Sequence, residues 1–237
     1  MESKRKAANS VYSGDIHYAN NVISIRELNS VWREVLHLGK HQFLAKGTRR
    51  TCLPHDDTFG FLDKGLLRLS SLNSEGGERI ALYIEKGCIF NEQSCMQSAP
   101  MTTAVFLAMQ DSEVWFFPRS LLHDRKFVLE YPQQMINLVQ SLSQKTGAFF
   151  SQLDENFGLP LEASVCRYLY RAVENEASIV RPHFSQSDLA LALGLHRSTV
   201  CRILKGLRER GILGVFTKTK LEILDREALY RLCRMDG

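Results

Sequence analysis

The sequence predicts an α+β protein in which an N-terminal antiparallel β-roll leads into one long helix and then into a small helical domain with a β-hairpin. Three observations predict this order. Short runs rich in β-branched and aromatic residues alternate with glycine or polar turns from Phe43 to Pro118. Apolar residues recur at helical spacing after Pro132, and two further short helical patterns follow Pro160. Strands and helices therefore occupy separate parts of the chain.

Four segments carry the strand pattern. They are TFGFLDKGLLRLS (58–70), ERIALYIEKGC (78–88), TTAVFLAM (102–109) and SEVWFFP (112–118). Between the first two, NSEGGE (73–78) has the composition of a hairpin turn. Short strands at this spacing are typical of a sheet that folds over on itself, so we expect a jelly-roll-like, double-stranded β-helix.

The long helix has the residue spacing of a two-stranded coiled coil. Seven residues lie at alternating spacings of four and three: Met135, Val139, Leu142, Thr146, Phe149, Leu153 and Asn156. Five of them are apolar, and the polar Thr146 and Asn156 suit the alignment of a partner helix in one register. This seam predicts a homodimer joined along the helix. The alternative is a helix that packs only against its own domain.

Domain boundaries follow from the same pattern. Pro160 disfavours helical geometry at the residue before it, so the long helix should end there. We expect a β-roll domain at 1–131, the long dimerisation helix at 132–159 and a C-terminal domain at 160–237.

Composition and charge exclude several classes of protein. The 44% hydrophobic and 24% charged residues are ordinary for a globular protein. No apolar run is long enough to span a membrane, and MESKRKAANS at the N-terminus has no apolar signal segment, so we expect a cytoplasmic protein without a membrane partner. The six cysteines form no C-x-x-C pair, which predicts free thiols and no metal site.

The net charge of +4 lies entirely in the last third of the chain. Residues 160–237 carry 13 Lys+Arg and 9 Asp+Glu, whereas residues 1–159 carry 17 of each class. This asymmetry indicates a polyanionic partner at the C-terminal end.

The segment QSDLALALGLHRSTVCRILK (186–205) fits a helix-turn-helix at each constrained position, without an insertion. Ala190 lies where two helices cross too closely for a larger side chain, and Gly194 lies where the turn needs a positive φ. Ser185 is a candidate N-cap of the first helix, with Asp188 three residues later. The following GILGVFTKTKLEIL (211–224) predicts a hairpin, and the domain is therefore a winged helix-turn-helix.

The second helix of this motif carries a candidate DNA-reading face. Arg197, Ser198, Thr199 and Arg202 lie near its N-terminus, the part of a recognition helix that meets base edges in the major groove. Arginine can bind guanine O6 and N7 with two hydrogen bonds. Lys218, in the hairpin, is available to phosphates. The alternatives are a solvated basic face and a winged helix that binds protein.

A roll, a long helix and a winged helix-turn-helix in this order resemble the CRP/FNR family of bacterial transcription regulators. SQSDLALALGLHRSTVCRILKGLRERGIL matches the family's DNA-binding pattern closely. Lys46-Gly47, Gly65, Gly76-Gly77-Glu78 and Gly87-x-x-Phe90-x-Glu92 match the markers of its cyclic-nucleotide-binding-like sensor domain more loosely. The resemblance implies a homodimer that binds a pseudo-palindromic site in double-stranded DNA, contacts RNA polymerase and responds to a small-molecule effector.

The resemblance also implies roles for individual residues. Arg197 and Arg202 align with arginines that read guanines, whereas Ser198 replaces a base-reading glutamate. Ser185, Gln186, His196 and Thr199 fall where members of the family contact phosphates. His196 departs from the family's pattern, because that position commonly carries a small N-capping residue.

The effector implied by this sequence is not cyclic AMP. The family's phosphate-binding arginine and its neighbour are replaced here by Thr102 and Thr103, which cannot neutralise a buried phosphate. The glycine before Glu92 is replaced by Asn91, which tolerates left-handed geometry. In the long helix, Phe149 and Phe150 stand where an adenine-contacting pair is expected. The effector stays unknown, and its expected site is an apolar, aromatic-lined pocket at the dimer seam, which would suit an organic aromatic molecule or a haem.

Other classes of function are alternatives. Haem sensing would need axial ligands, for which the candidates by type are His55, Cys88, Cys95, Met96 and His123. A regulator that binds DNA without any effector is a second alternative. An enzyme is not expected, because the metal-binding H-x-H pattern of catalytic rolls is absent, as are the G-x-S-x-G and phosphate-loop motifs.

Overall fold

A computed structural model of the chain describes residues 15–19, 22–52, 57–72, 77–96, 103–156, 158–173, 179–180 and 184–234. The chain divides into two compact units. The first unit holds most of residues 1–150, and the second holds residues 151–237 together with two short segments of the N-terminal half. Among the described helices, none combines the length and the apolar character needed to cross a membrane.

The N-terminal part of the chain is mainly β-structure. Its strands are β1 (Asp15–Ala19), β2 (Val22–Arg26), β3 (Lys40–Leu44), β4 (Arg49–Cys52), β5 (Thr58–Lys64), β6 (Leu66–Leu72), β7 (Glu78–Glu85), β8 (Cys88–Phe90), β9 (Thr103–Ala108) and β10 (Ser112–Pro118). Its helices are α1 (Glu92–Met96), α2 (Arg125–Glu130) and the long α3 (Pro132–Asn156), with 3₁₀ segments at Ser30–Leu38 and Arg119–His123.

The strands form two sheets of a roll. One sheet has the order β1-β2-β7-β6-β9-β4 and the other has the order β3-β10-β5-β8. The pairs β6–β9, β4–β9, β10–β5 and β5–β8 are antiparallel, whereas β2 runs parallel to β7, with Ile23 opposite Leu82. The predicted α+β class with an antiparallel roll is confirmed, and β1 and β2 extend the roll to residues that the sequence pattern did not reveal.

Two apolar clusters fill the first unit. On β7, Leu82 and Ile84 are buried in one of them, as the two-residue period of a half-buried strand requires. A second cluster surrounds Trp32 of the 3₁₀ segment, whose ring meets the ring of Phe59 edge-on at 5.4 Å. The two sheets are therefore held together by side chains of alternating strand positions.

The second unit is a winged helix-turn-helix. It contains α4 (Leu161–Val173), β11 (Ile179–Val180), α5 (Gln186–Leu193), α6 (Arg197–Glu209), β12 (Leu213–Phe216), β13 (Leu221–Ile223) and α7 (Arg226–Leu232). The strands β12 and β13 form the predicted antiparallel hairpin, and β11 adds a third strand beside β13. Leu189, Val200 and Leu204 are fully buried between the helices.

The long helix α3 is confirmed, but its exposed stripe differs from the predicted seam. Met135, Leu142 and Phe149 are partly buried and pack against the clusters of the roll. Val139 and Thr146 of the predicted seam are exposed, and Ile136, Ser143 and Phe150 complete the exposed stripe in place of Met135, Leu142 and Phe149. Both stripes have spacings of three and four residues, so the period alone could not tell the inward one from the outward one. The side chains of Leu153 and Asn156 lie outside the described part of the chain.

At Gly60, in β5, an added methyl group has no room. A Cβ atom on Gly60 would overlap the ring of Phe90, which covers this strand residue. We expect Gly60→Ala to lower the free energy of unfolding by about 1–3 kcal/mol, as overpacking of a filled core does. Gly206→Ala is the control, because its Cβ would meet no heavy atom within 4 Å and it lies inside a helix. Urea denaturation should show a loss for the first variant and no loss for the second, and equal stability of both would contradict the packing described.

Candidate nucleic-acid interface and sensor site

The helix-turn-helix begins with a capping box. The hydroxyl of Ser185 accepts a hydrogen bond from the backbone N–H of Asp188 at 3.2 Å, and the Ser185 backbone N–H donates to the Asp188 carboxylate at 2.8 Å. Two backbone N–H groups at the helix start are thereby satisfied. The predicted N-cap is confirmed, and the start of α5 is fixed by local chemistry.

The turn between α5 and α6 has the geometry that the sequence predicts. Gly194 has φ 66° and ψ 29°, in the left-handed region that glycine adopts without a steric penalty. The Leu195 N–H donates to the Ala190 carbonyl at 2.9 Å across the turn, and Ala190 is buried. This tight turn sets the direction in which α6 leaves α5.

Helix α6 has one buried face and one basic exposed face. Val200, Leu204 and Leu207 are fully buried. Arg197, Ser198, Arg202 and Lys205 are exposed, and Thr199 is partly exposed. A helix that is fixed on one side and carries arginines on the other can present them to a polyanion without rearranging its core.

Gln186, at the start of α5, and His196, at the start of α6, make different side-chain hydrogen bonds. Gln186 accepts a hydrogen bond from the Cys201 thiol at 3.5 Å, which links the first turn of α5 to α6. His196 is the N-cap of α6, but its side chain makes no capping hydrogen bond. Its Nδ1 lies instead 2.9 Å from the Ser198 hydroxyl. The departure of His196 from a small capping residue therefore leaves the N-terminus of α6 without a side-chain cap.

The hairpin of β12 and β13 carries a lysine pair at its turn. The Thr217 hydroxyl accepts from the backbone N–H groups of Thr219 at 3.3 Å and Lys220 at 3.0 Å, which orders the turn. Lys220 lies 3.5 Å from the carboxylate of Glu222. Lys218 is fully exposed at the tip, so of the two lysines it is the better placed to meet a phosphate.

The segment that resembles a nucleotide cradle has the predicted backbone at Asn91. Its φ of 64° is left-handed, as expected for a residue that replaces glycine. The Asn91 amide donates to the Thr58 carbonyl at 2.9 Å, which ties the turn to β5. Glu92, the next residue, is only 3% exposed.

Glu92 has a partner that sequence reasoning missed. The ammonium group of Lys145 on α3 lies 2.5 Å from Glu92 Oε1 and also donates to the Ile89 carbonyl at 2.9 Å. Lys145 is 9% exposed. The two residues are 53 positions apart, and no local pattern links them.

Lys145 belongs to a row of buried polar side chains on α3. Asn29 donates to the Asn137 amide oxygen at 2.8 Å, and Ser141 donates to the Asn29 amide oxygen at 3.3 Å. The Ile89 backbone N–H donates to that same oxygen at 3.0 Å. We call the three α3 side chains and their two partners from the roll the polar seam: Asn137, Ser141 and Lys145 on α3, with Asn29 and Glu92. The spacing of four residues between Asn137, Ser141 and Lys145 was the one signal in the sequence that could have revealed it.

Two other predicted effector residues, Phe149 and Phe150, lie on different sides of α3, and the expected pocket at the dimer seam stays a prediction. Phe149 packs, partly buried, against the apolar cluster of the roll, whereas Phe150 is 63% exposed. The two rings therefore do not line one pocket within this chain, because adjacent helical residues point about 100° apart. Thr102 lies outside the described residues, and Thr103 begins β9, with only its backbone described.

The candidate axial ligands for haem have differing surroundings. Burial raises the pKa of the Cys88 thiol to about 12, so the thiolate form that binds iron is disfavoured. Cys95 is buried, and its carbonyl lies 3.4 Å from the His123 ring. Met96 is 43% exposed, and His55 lies outside the part of the chain that the structure describes.

Comparisons with known proteins agree with this two-unit arrangement. A model of the Crp-like helix-turn-helix domain matches residues 163–232, and a model of the cyclic nucleotide-binding domain matches residues 54–124. No curated protein sequence matches the chain significantly.

Solved structures give the same result for the fold. The c-di-GMP-responsive global regulator CLP of Xanthomonas campestris is similar with a TM-score of 0.67 and 16% identity, over 81% of this chain and 97% of that one. A CooA variant from Carboxydothermus hydrogenoformans is similar with a TM-score of 0.62 and 19% identity, over 88% of this chain and 96% of that one. A CprK variant in complex with OCPA is similar with a TM-score of 0.62 and 19% identity, over 86% of this chain and 93% of that one. At these identities the likeness extends to the fold alone.

The two caps of the helix-turn-helix give a test of this local geometry. We expect His196→Ser to raise the free energy of unfolding by about 1 kcal/mol, because a serine hydroxyl can accept from the free N–H groups at the start of α6. Ser185→Ala should lower it by about the same amount, since it removes a cap that is present. Urea denaturation of both variants measures the two changes. A loss of stability in His196→Ser would contradict the uncapped N-terminus.

Proposed function

Since the chain belongs to the CRP/FNR family of transcription regulators, we propose that it is a homodimeric, sequence-specific DNA-binding regulator whose β-roll responds to a signal other than cyclic AMP. The family consists of transcription regulators rather than enzymes. The observation that carries the proposal is the helix-turn-helix itself. Its left-handed Gly194 and buried Ala190 fix α6, and the arginines of α6 face solvent.

We assign the recognition of bases to the exposed side of α6. Arg197 and Arg202 each carry a guanidinium that can donate two parallel hydrogen bonds to guanine O6 and N7. Ser198 can donate or accept, so it specifies its base pair less strictly than a carboxylate would. The half-site in this proposal contains guanines read by the two arginines.

We assign the contacts with DNA phosphates to residues around α6. Ser185, Gln186, His196 and Thr199 lie at or next to the N-terminal ends of α5 and α6, where backbone N–H groups favour anions. Lys218 extends from the tip of the hairpin. These contacts orient the domain on double-stranded DNA, and in this proposal the bound protein then acts on transcription together with RNA polymerase.

The exposed stripe of α3 supports a homodimer. Ile136 is 48% exposed, Val139 is 66% exposed and Phe150 is 63% exposed, and the heptad spacing places them on one side of the helix. The opposite side carries the polar seam. A second copy of this helix, packed in a coiled coil, would remove these apolar side chains from water. Two recognition helices related by two-fold symmetry then suit a pseudo-palindromic site.

The pair that replaces the family's phosphate-binding arginine and its neighbour supports an effector other than cyclic AMP. Thr102 and Thr103 cannot supply the positive charge that a cyclic phosphate requires. Among the candidate haem ligands, burial raises the pKa of the Cys88 thiol to about 12 and so disfavours the thiolate that would bind iron, and we assign haem no role in the mechanism.

The arginines of α6 provide the direct test of DNA recognition. DNA recovered with the native protein from a random pool serves as the probe in gel retardation. We expect Arg197→Ala and Arg202→Ala each to weaken binding by about 1–3 kcal/mol, because each removes a bidentate contact to a base. Arg231→Ala, an exposed arginine on α7, is the matched control and should bind as the native protein does. Unchanged retardation by both α6 variants would overturn the assignment of α6 as the recognition helix.

The exposed stripe provides the test of the dimer. Val139→Glu would place two facing carboxylates in the seam of the coiled coil, so we expect the dimer to weaken by about 100-fold or more. Gln144→Glu adds the same charge to an exposed position of α3 outside the stripe and should leave the dimer intact. Sedimentation velocity of both variants measures the change. A monomeric native protein, or a dimeric Val139→Glu variant, would contradict the proposed seam.

A further inference from the structure

His196 contacts the hydroxyl of Ser198 at the start of the proposed recognition helix. Its ring nitrogen Nδ1 lies 2.9 Å from the Ser198 oxygen, which is a normal hydrogen-bond distance. His196 is the N-cap residue of α6, yet its side chain does not cap the helix backbone. Both side chains are exposed. The ring therefore acts on a neighbouring side chain of the DNA-reading face instead of on the end of the helix.

The backbone that carries this pair is fixed before any DNA binds. The His196 carbonyl accepts from the backbone N–H groups of Thr199 at 3.0 Å and Val200 at 3.2 Å. Val200 is fully buried, so it anchors this turn of α6 in the core of the domain. A contact that is preorganised in this way loses little conformational entropy on binding.

The contact with His196 sets the direction of the Ser198 hydroxyl group. Alone, a serine hydroxyl can either donate to a base or accept from one. A neutral imidazole has one donor and one acceptor nitrogen, and the bond made by one nitrogen sets the role of the other. Since Nδ1 of His196 is engaged with Ser198, its contact with a DNA phosphate must use Nε2–H. Nδ1 is then the acceptor, and the Ser198 hydroxyl donates to it.

Ser198 is thereby left with only its oxygen lone pairs for DNA. The donors that base edges present in the major groove are the amino groups of cytosine and adenine. We propose that His196 is a specificity-determining residue, which makes Ser198 an acceptor that reads a base amino group. His196 acts through Ser198 and is a positioning residue for this contact. The inference rests on the proposed DNA-binding function and deepens it.

Two substitutions separate the roles of the two ring nitrogens. His196→Asn places an amide oxygen as many bonds from Cβ as Nδ1 is, and this oxygen can accept from Ser198 as well as cap the helix. His196→Gln places an amide N–H at the distance of Nε2 and removes the Nδ1 acceptor. Ser198→Ala identifies the base pair that Ser198 reads, as the position where its preference among base pairs relaxes.

Gel retardation with the duplex selected by the native protein measures both variants. We expect His196→Asn to bind about threefold to tenfold more weakly than the native protein, because a phosphate contact is lost, and to keep the native preference at that base pair. His196→Gln should bind with near-native affinity, but its preference there should fall below about twofold, since the hydroxyl can again donate or accept. A preference retained in His196→Gln, or lost in His196→Asn, would overturn the proposal.

Duplexes that lack one base group test the direction of the hydrogen bond. At the base pair read by Ser198, 2-pyrimidinone in place of cytosine, or purine in place of adenine, removes the amino group. We expect this deletion to weaken the native protein about threefold to tenfold more than Ser198→Ala. Deletion of N7, with a 7-deazapurine at the same base pair, is the control and should weaken both equally. An equal effect of the amino deletion on both proteins would show that Ser198 does not accept from that group and would overturn the proposal.

Failure of this inference is distinguishable from failure of the proposed function. A protein that still requires guanines for Arg197 and Arg202, but whose preference does not depend on His196, would lose only the positioning role. Unchanged DNA binding by Arg197→Ala and Arg202→Ala would instead remove the recognition helix on which the inference rests.

Discussion

The buried ion pair between Lys145 and Glu92 is the constraint on which the first unit depends. Neither charge is stable in an apolar interior alone, so α3 must lie with Lys145 against the β8–α1 turn. That alignment brings Asn137 to Asn29 and Ser141 beside it. The inward side of α3 thereby carries a row of buried polar groups beside its apolar contacts with the roll, and Ile136, Val139 and Phe150 are left facing outward.

This division of α3 supports the proposed homodimer. An outward stripe of Ile136, Val139 and Phe150 is more apolar than a solvated helix face requires, and a second copy of the chain is the partner that fits its heptad spacing. The DNA-binding unit depends on a different kind of interaction. Its capping box and the turn at Gly194 are local, so α6 is aimed by residues close to it in sequence. The packing of α3 and the direction of α6 therefore rest on separate sets of contacts.

Local features were predictable from the sequence, and distant ones were not. Gly194, Ser185 and Asn91 have the backbone geometry that their residue types predict, because caps and left-handed turns depend on a few neighbouring residues. The pairing of Lys145 with Glu92 joins distant parts of the chain and leaves no periodic signal. The stripe of α3 differs from the prediction at three positions for a related reason: Ile136, Ser143 and Phe150 follow Met135, Leu142 and Phe149 directly and have the same period, and only the contacts with the roll decide which set turns inward. Phe149 and Phe150 were separated by this same choice.

The claim that matters most is that two copies of α6 read a symmetric DNA site. Selection of bound duplexes from a random pool, with the native protein and no added ligand, tests it directly. The account predicts enrichment of an inverted repeat with guanines in each half and half-sites centred about 34 Å apart, one turn of the double helix. Enrichment of a single unsymmetric site, or of no sequence at all, would contradict it.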